Sequence, residues 1–173
     1  MTIAELLDLY EYNEWAHESC LDSALQLSPE KYNEQLAGSF TSVRATLEHM
    51  LGTEVVWLSR WEGHSLADRP DYGGCKDVTS LRSLWMSFWN RQRRFLEALN
   101  DEDLSQLVSI RTFSGIETVQ SLDDTLFHVV NHSTYHRGQI ATQMRQLGVP
   151  GSKTDYFTYC LTRNAHLPDT NDQ

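Results

Sequence analysis

The sequence predicts an all-α fold, a four-helix bundle, on three observations. Four long segments repeat apolar residues at helical intervals. Only one short stretch alternates as a strand would, and one connection of about 17 residues separates the second helix from the third.

The first helix is predicted over roughly residues 2–27, where Ile3, Leu6, Leu7, Tyr10, Trp15, Leu21 and Leu25 follow helical spacing and Ser28-Pro29 ends it. The second runs from about Thr41 to Trp61. It is apolar almost all round (Val43, Leu47, Met50, Leu51, Val55, Val56, Leu58), which implies burial against several neighbours. The stretch EGHSLADRPDYGGCKDV follows, rich in turn residues and without helical period. A third helix over about Ser80–Leu99 carries Leu81, Leu84, Trp85, Phe88, Phe95, Leu96 and Leu99. LVSIRTFSGIETVQ alternates around Ser114-Gly115 and is expected to form a short hairpin. A fourth helix is predicted from about Ser121 to Leu147. Ser121 caps it, Asp123 and Asp124 place negative charge in its first turn, and Gly148 stops it. A last short helix covers about Asp155–Arg163.

Loop length bears on topology. A 20-residue helix is roughly 30 Å long, and 17 residues at about 3.3 Å each can run that distance. The second and third helices can therefore lie parallel, joined by a crossover along the bundle.

Composition narrows the class. The 173 residues suit a single domain over 1–173, and 40% apolar with 22% charged residues describes a folded chain. Acidic residues outnumber basic ones 24 to 14, for a net charge of −10, which argues against nucleic acid as partner. The acidic tail PDTNDQ is expected to serve solubility. Cys20, Cys75 and Cys160 are odd in number and widely spaced, so neither a disulfide framework nor a cysteine zinc site is expected, and a reducing cytoplasm is. Residues 1–27 show no signal-peptide pattern, and no window is apolar enough to span a membrane.

The chemistry concentrates in HSTYHRGQ at 132–139. His132 and His136 are four apart, within about 40° on one helical face, so both rings can reach one ion. In this helix Leu122, Leu126, Val129, Ser133, His136, Ile140, Gln143 and Leu147 alternate spacings of four and three, the period of a bundle seam. His49 sits on the second helix among Ala45, Thr53 and Val56, neighbours that suit an inward pocket. Three neutral imidazoles leave part of a coordination sphere open, as reactive metal sites do. Spacing alone leaves the alternative of hydrogen-bonded core histidines. His17, His64, His128 and His166 have no comparable case, although His128 lies one turn before His132.

Other chemistries find no support. Ser133 stands where the Glu of HExxH would be, and the carboxylates of a di-iron bundle are missing. No GxSxG occurs, Gly73-Gly74 does not continue into a phosphate loop, and Cys75 reads as an inert loop cysteine. Trp57, Trp61, Trp85 and Trp89 read as core or dimer-contact residues.

Three stretches carry a resemblance over nearly the whole chain: YNEWAHESCL at 12–21, LEHMLGTEVVWLSRW at 47–61 and FHVVNHSTYHRGQIATQMRQLG at 127–148. They resemble the DinB-like family. The resemblance implies a bundle in up-down-down-up order, a divalent metal held by His49, His132 and His136, and homodimers. It also makes Asn13 and Trp15 candidates for the surroundings of the site, beside His128 and Arg137; for Arg137, which points about 100° away from His136, a structural ion pair or interface contact is the stronger expectation. Zinc or nickel comes first as the ion, with iron, manganese and copper as further candidates.

The family is similar to a broader group that includes thiol-dependent S-transferases and a thiol-dependent isomerase. The implied activity is metal-assisted transfer of a low-molecular-weight thiol to an electrophile, in stress or detoxification. The alternatives are a hydrolase using metal-activated water and a non-catalytic metal-binding stress protein.

Overall fold

The computed structural model describes residues 1–64, 72, 75, 77–112 and 114–164. Most of the predicted crossover, Gly73-Gly74, the acidic tail and His166 lie outside them.

Each long helix begins on a side-chain cap. Thr2 and Glu5 form a reciprocal capping box at α1 (Ile3–Ala24), in which Thr2 Oγ1 accepts from the Glu5 amide and Glu5 accepts from the Thr2 amide. Ser42 caps α3 (Val43–Trp61), Asp77 caps α4 (Val78–Glu97) and Ser121 caps α5 (Leu122–Gln146). Such caps contribute about 1 kcal/mol each. Ser28-Pro29 ends α1 as expected but also starts something the periodicity did not reveal. Ser28 caps a one-turn helix, α2 (Pro29–Tyr32), with proline at its first position. The end of α5 follows the glycine rule. Gly148 has φ +77°, and the Val149 amide reaches back to Met144 O at 2.9 Å.

The alternating stretch forms the antiparallel pair β1 (Leu107–Arg111) and β2 (Glu117–Ser121), with Leu107 opposite Ser121 and Ile110 opposite Thr118. Ile110 is its buried residue. The Leu122 amide donates to Gln106 O, and Arg60 Nη2 donates to Arg111 O, tying the hairpin to α5 and α3. A final helix, α6 (Tyr156–Asn164), packs Tyr159 on Tyr12 and Trp15.

The fold is therefore mostly helical with one small sheet. Helix α1 packs against α4 and α5, and α3 packs against the same two. All eight seam positions of α5 are buried, from Leu122 to Leu147. Two apolar clusters form the core. One gathers Leu21, Leu47, Met50, Leu51, Leu81, Trp85, Ile140 and Met144; the other gathers Leu6, Tyr10, Ala16, Leu96, Leu122, Leu126 and Val130. On α1 and α5 the clusters fall on either side of a buried polar layer, and the histidines lie beside that layer. No helix among the described residues is long and apolar enough to cross a membrane.

Candidate metal centre

Helix α5 presents His132 and His136 one turn apart, and α3 brings His49 against them. His136 Nε2 lies 3.0 Å from His132 Nε2 and 3.1 Å from His49 Nε2, and one ring nitrogen from each of the three lies within 4.8 Å of the others. A cation at 2.0–2.1 Å from each nitrogen in tetrahedral geometry would hold those nitrogens about 3.3 Å apart. The donor set thus suits a divalent ion by chemistry, and its two shortest spacings lie near that value, without selecting which ion.

The opposite nitrogen of His136 is also held. His136 Nδ1 lies 2.7 Å from Gln139 Oε1, an acceptor that assigns the proton to Nδ1 and leaves the Nε2 lone pair facing the other two rings. Phe40 covers one side, its ring 4.4 Å from His49 and 5.4 Å from His136. His128 stands on another side, 5.7 Å from His132 and 5.3 Å from Trp57; burial lowers its pKa and favours the neutral ring.

The polar layer lies directly behind these rings. Glu54 of α3, only 1% exposed, accepts from Ser133 Oγ at 2.8 Å and from Asn13 Nδ2 at 3.3 Å, with Gln92 Nε2 at 3.5 Å. Burial pushes its carboxyl up to about 7, although hydrogen bonds from Ser133 and Asn13 and the charge of Arg137 pull the other way. His17 Nε2 approaches Glu54 Oε1 to 3.4 Å without hydrogen-bond alignment, and burial holds His17 well below the ordinary imidazole range. Arg137, 1% exposed, donates Nη1 to Asn13 Oδ1 at 2.6 Å and Nη2 to Tyr12 and Thr134.

Of the residues named from sequence, His49, His132 and His136 come together. Asn13 and Arg137 lie in the buried layer, His128 sits beside His132, and Trp15 packs on Tyr12 and Tyr159. Arg137 makes its hydrogen bonds to neutral groups. Sequence reasoning passed over Glu54, His17 and Gln92. A signal for them existed. Asn13 and His17 continue the spacing Leu6, Tyr10, Asn13, His17, Cys20, Ala24. Glu54 likewise continues Val43, Leu47, Met50, and Gln92 continues Leu81, Trp85, Phe88.

The comparisons with known proteins address the same span. A model of the DinB family matches residues 2–166. The chain belongs to the DinB family. It is 29% identical over 158 residues to protein DinB of Bacillus subtilis (strain 168), covering 87% of this chain and 91% of that one. It is 23% identical over 144 residues to the uncharacterized protein YizA of the same strain, covering 82% and 87%. The crystal structure of a DinB-like protein from Bacillus cereus ATCC 10987 superposes with a TM-score of 0.62 at 21% identity, over 88% of this chain and 97% of the other, a likeness of fold. Family membership and the three converging rings together fit a metal-binding protein.

Proposed function

We propose that this DinB-family chain is a metal-dependent enzyme in which His49, His132 and His136 hold a divalent cation, zinc or nickel first, and a low-molecular-weight thiol is transferred to an electrophile. The convergence of three imidazole nitrogens from two helices carries the proposal. Pairs that run antiparallel between α1 and α4 (Glu14–Arg93, Glu18–Arg82) and between α3 and α5 (Thr46–Gln143, Trp61–Thr125), and parallel between α1 and α5 (Tyr10–Leu126, Asn13–Arg137), support an up-down-down-up order around the site.

An all-imidazole donor set neutralises none of a cation's charge, so an anionic further ligand is favoured. When bound, such an ion stabilises thiolate over thiol at neutral pH. The protein's own residues supply the rest. Gln139 keeps the His136 lone pair aimed inward, and Phe40 shields one side of the rings from water. In the transfer, the thiol proton passes to solvent and the sulfur forms the new bond to carbon. The electrophile's leaving group departs with the bonding pair.

Metal analysis of the wild type against His49→Ala is the first test. The wild type is expected to hold one equivalent and the variant to lose most of it; full stoichiometry in the variant removes His49 as a ligand. Loaded protein is then expected to consume a thiol with a chloro-nitroarene. Turnover of esters without thiol would instead assign hydrolysis, and inactivity towards both panels would assign a non-catalytic role.

A further inference from the structure

A cavity of about 380 Å³ runs along α5 next to the surroundings of His136, between that helix and the Ala37–Phe40 loop. Its size falls within the range of small-molecule sites. Phe40, Tyr135 and Gln139 belong both to its lining and to the surroundings of His136, where the Tyr135 ring lies 5.1 Å from the imidazole. Thr142 and Gln146 extend the lining along the helix. Among the described residues no Asp, Glu, Lys or Arg contributes to it, although these make up 22% of the chain.

Gly138 is the second observation. It lies in the interior of α5, where glycine costs about 1 kcal/mol relative to alanine. A glycine inside a helix commonly lets another backbone come close. Here Gly138 is exposed, lines the cavity, and an added Cβ would meet nothing within 4 Å. Among the described residues there is therefore no packing reason for glycine at 138.

We infer that this cavity binds the uncharged, hydrogen-bonding part of the substrate thiol, an amide- or hydroxyl-bearing group, and that Gly138 keeps the space open for it. The side-chain amides of Gln139 and Gln146 offer donors and acceptors, and Phe40 and Tyr135 offer flat apolar walls. A carboxylate or ammonium placed there would meet no opposite charge among the described lining residues. The inference rests on the metal reading above and adds the class of ligand.

Cobalt(II)-loaded protein provides the test, because thiolate coordination gives a near-ultraviolet charge-transfer band that needs no turnover. The probes are N-acetylcysteamine, a neutral amide thiol; 3-mercaptopropionate, an anionic thiol of similar reach; and azide, which needs only the ion. Wild type is expected to bind N-acetylcysteamine more tightly than 3-mercaptopropionate. Gly138→Leu should load cobalt equally and bind azide within about twofold, yet bind N-acetylcysteamine about tenfold more weakly. Gln146→Leu, at an exposed position, should weaken the same probe several-fold and decides the matter if Gly138→Leu does not load.

Unchanged N-acetylcysteamine affinity in the variants overturns the inference, as does a wild-type preference for the anionic thiol. A change in sedimentation with unchanged thiol affinity also overturns it and assigns the cavity to a second copy of the chain. Absence of any cobalt spectrum in the wild type is a different failure, that of the metal reading, and removes both.

Discussion

Arg137 and Glu54 face each other across a single amide. Asn13 Oδ1 takes the Arg137 Nη1 hydrogen bond at 2.6 Å, while Asn13 Nδ2 donates to Glu54 Oε1 at 3.3 Å. Guanidinium and carboxylate are each 1% exposed, so neither can turn to water if the amide is removed. Asn13→Ala is expected to destabilise the protein by about 2–4 kcal/mol, the range for stripping partners from buried charged groups. Urea unfolding checks this: the midpoint should fall at constant slope, and a loss below about 0.5 kcal/mol would contradict it.

The Glu54 carboxyl gives stability a distinctive pH dependence. Its ordinary value of 4.5 is pushed up to about 7 in the fold by burial, so between these values the folded chain holds more protons here than the unfolded one. The contribution is fully present below pH 4.5 and is lost as pH rises through about 7. His17 runs the opposite way. Burial holds it well below 6.5, so its contribution is lost as pH falls. Glu54→Gln removes the first effect alone. The melting temperature of the variant relative to wild type should rise as pH goes from about 5 to about 8, and a flat difference would refute the assignment.

Gln139 fixes the proton on the far side of His136. Groups in this position tune ligand basicity, and losing one typically costs 10–100-fold in metal affinity. Gln139→Leu is expected to keep the stoichiometry of the wild type while weakening affinity by about that factor, measured by competition with a chelator.

Gln143 ties the loop over the site to α5. Its Oε1 accepts from Thr46 Oγ1 at 2.9 Å and its Nε2 donates to Phe40 O at 3.2 Å. Gln143→Leu should release the Ala37–Phe40 loop, raising amide exchange there about fivefold or more while leaving α1 unchanged. Equal exchange in both proteins would show that the loop is held by other contacts.

Much of this was legible in the chain. The four long helices followed from periodicity, the ends of the last one from Ser121 and Gly148, and the hairpin from Ser114-Gly115, because caps and turns are local chemistry. His132 and His136 were legible for the same reason, four residues apart on a seam of apolar positions. Glu54 was legible only as a position: the spacing Val43, Leu47, Met50, Glu54 puts it on the buried face, but its partners Asn13 and Ser133 lie 41 and 79 residues away and no local pattern names them. The turn Pro29–Tyr32 escaped because four residues are too few to show a period.

The Ser133–Glu54 contact has a consequence for the histidines themselves. Ser133 lies between His132 and His136 in the chain, and Glu54 lies a little over one turn beyond His49. Their 2.8 Å bond therefore works as a height gauge between α5 and α3. A slip of one turn, about 5.4 Å, would strand the buried Glu54 carboxyl away from Ser133. Expensive as it is to bury, this polar latch keeps three rings from two helices level with one another.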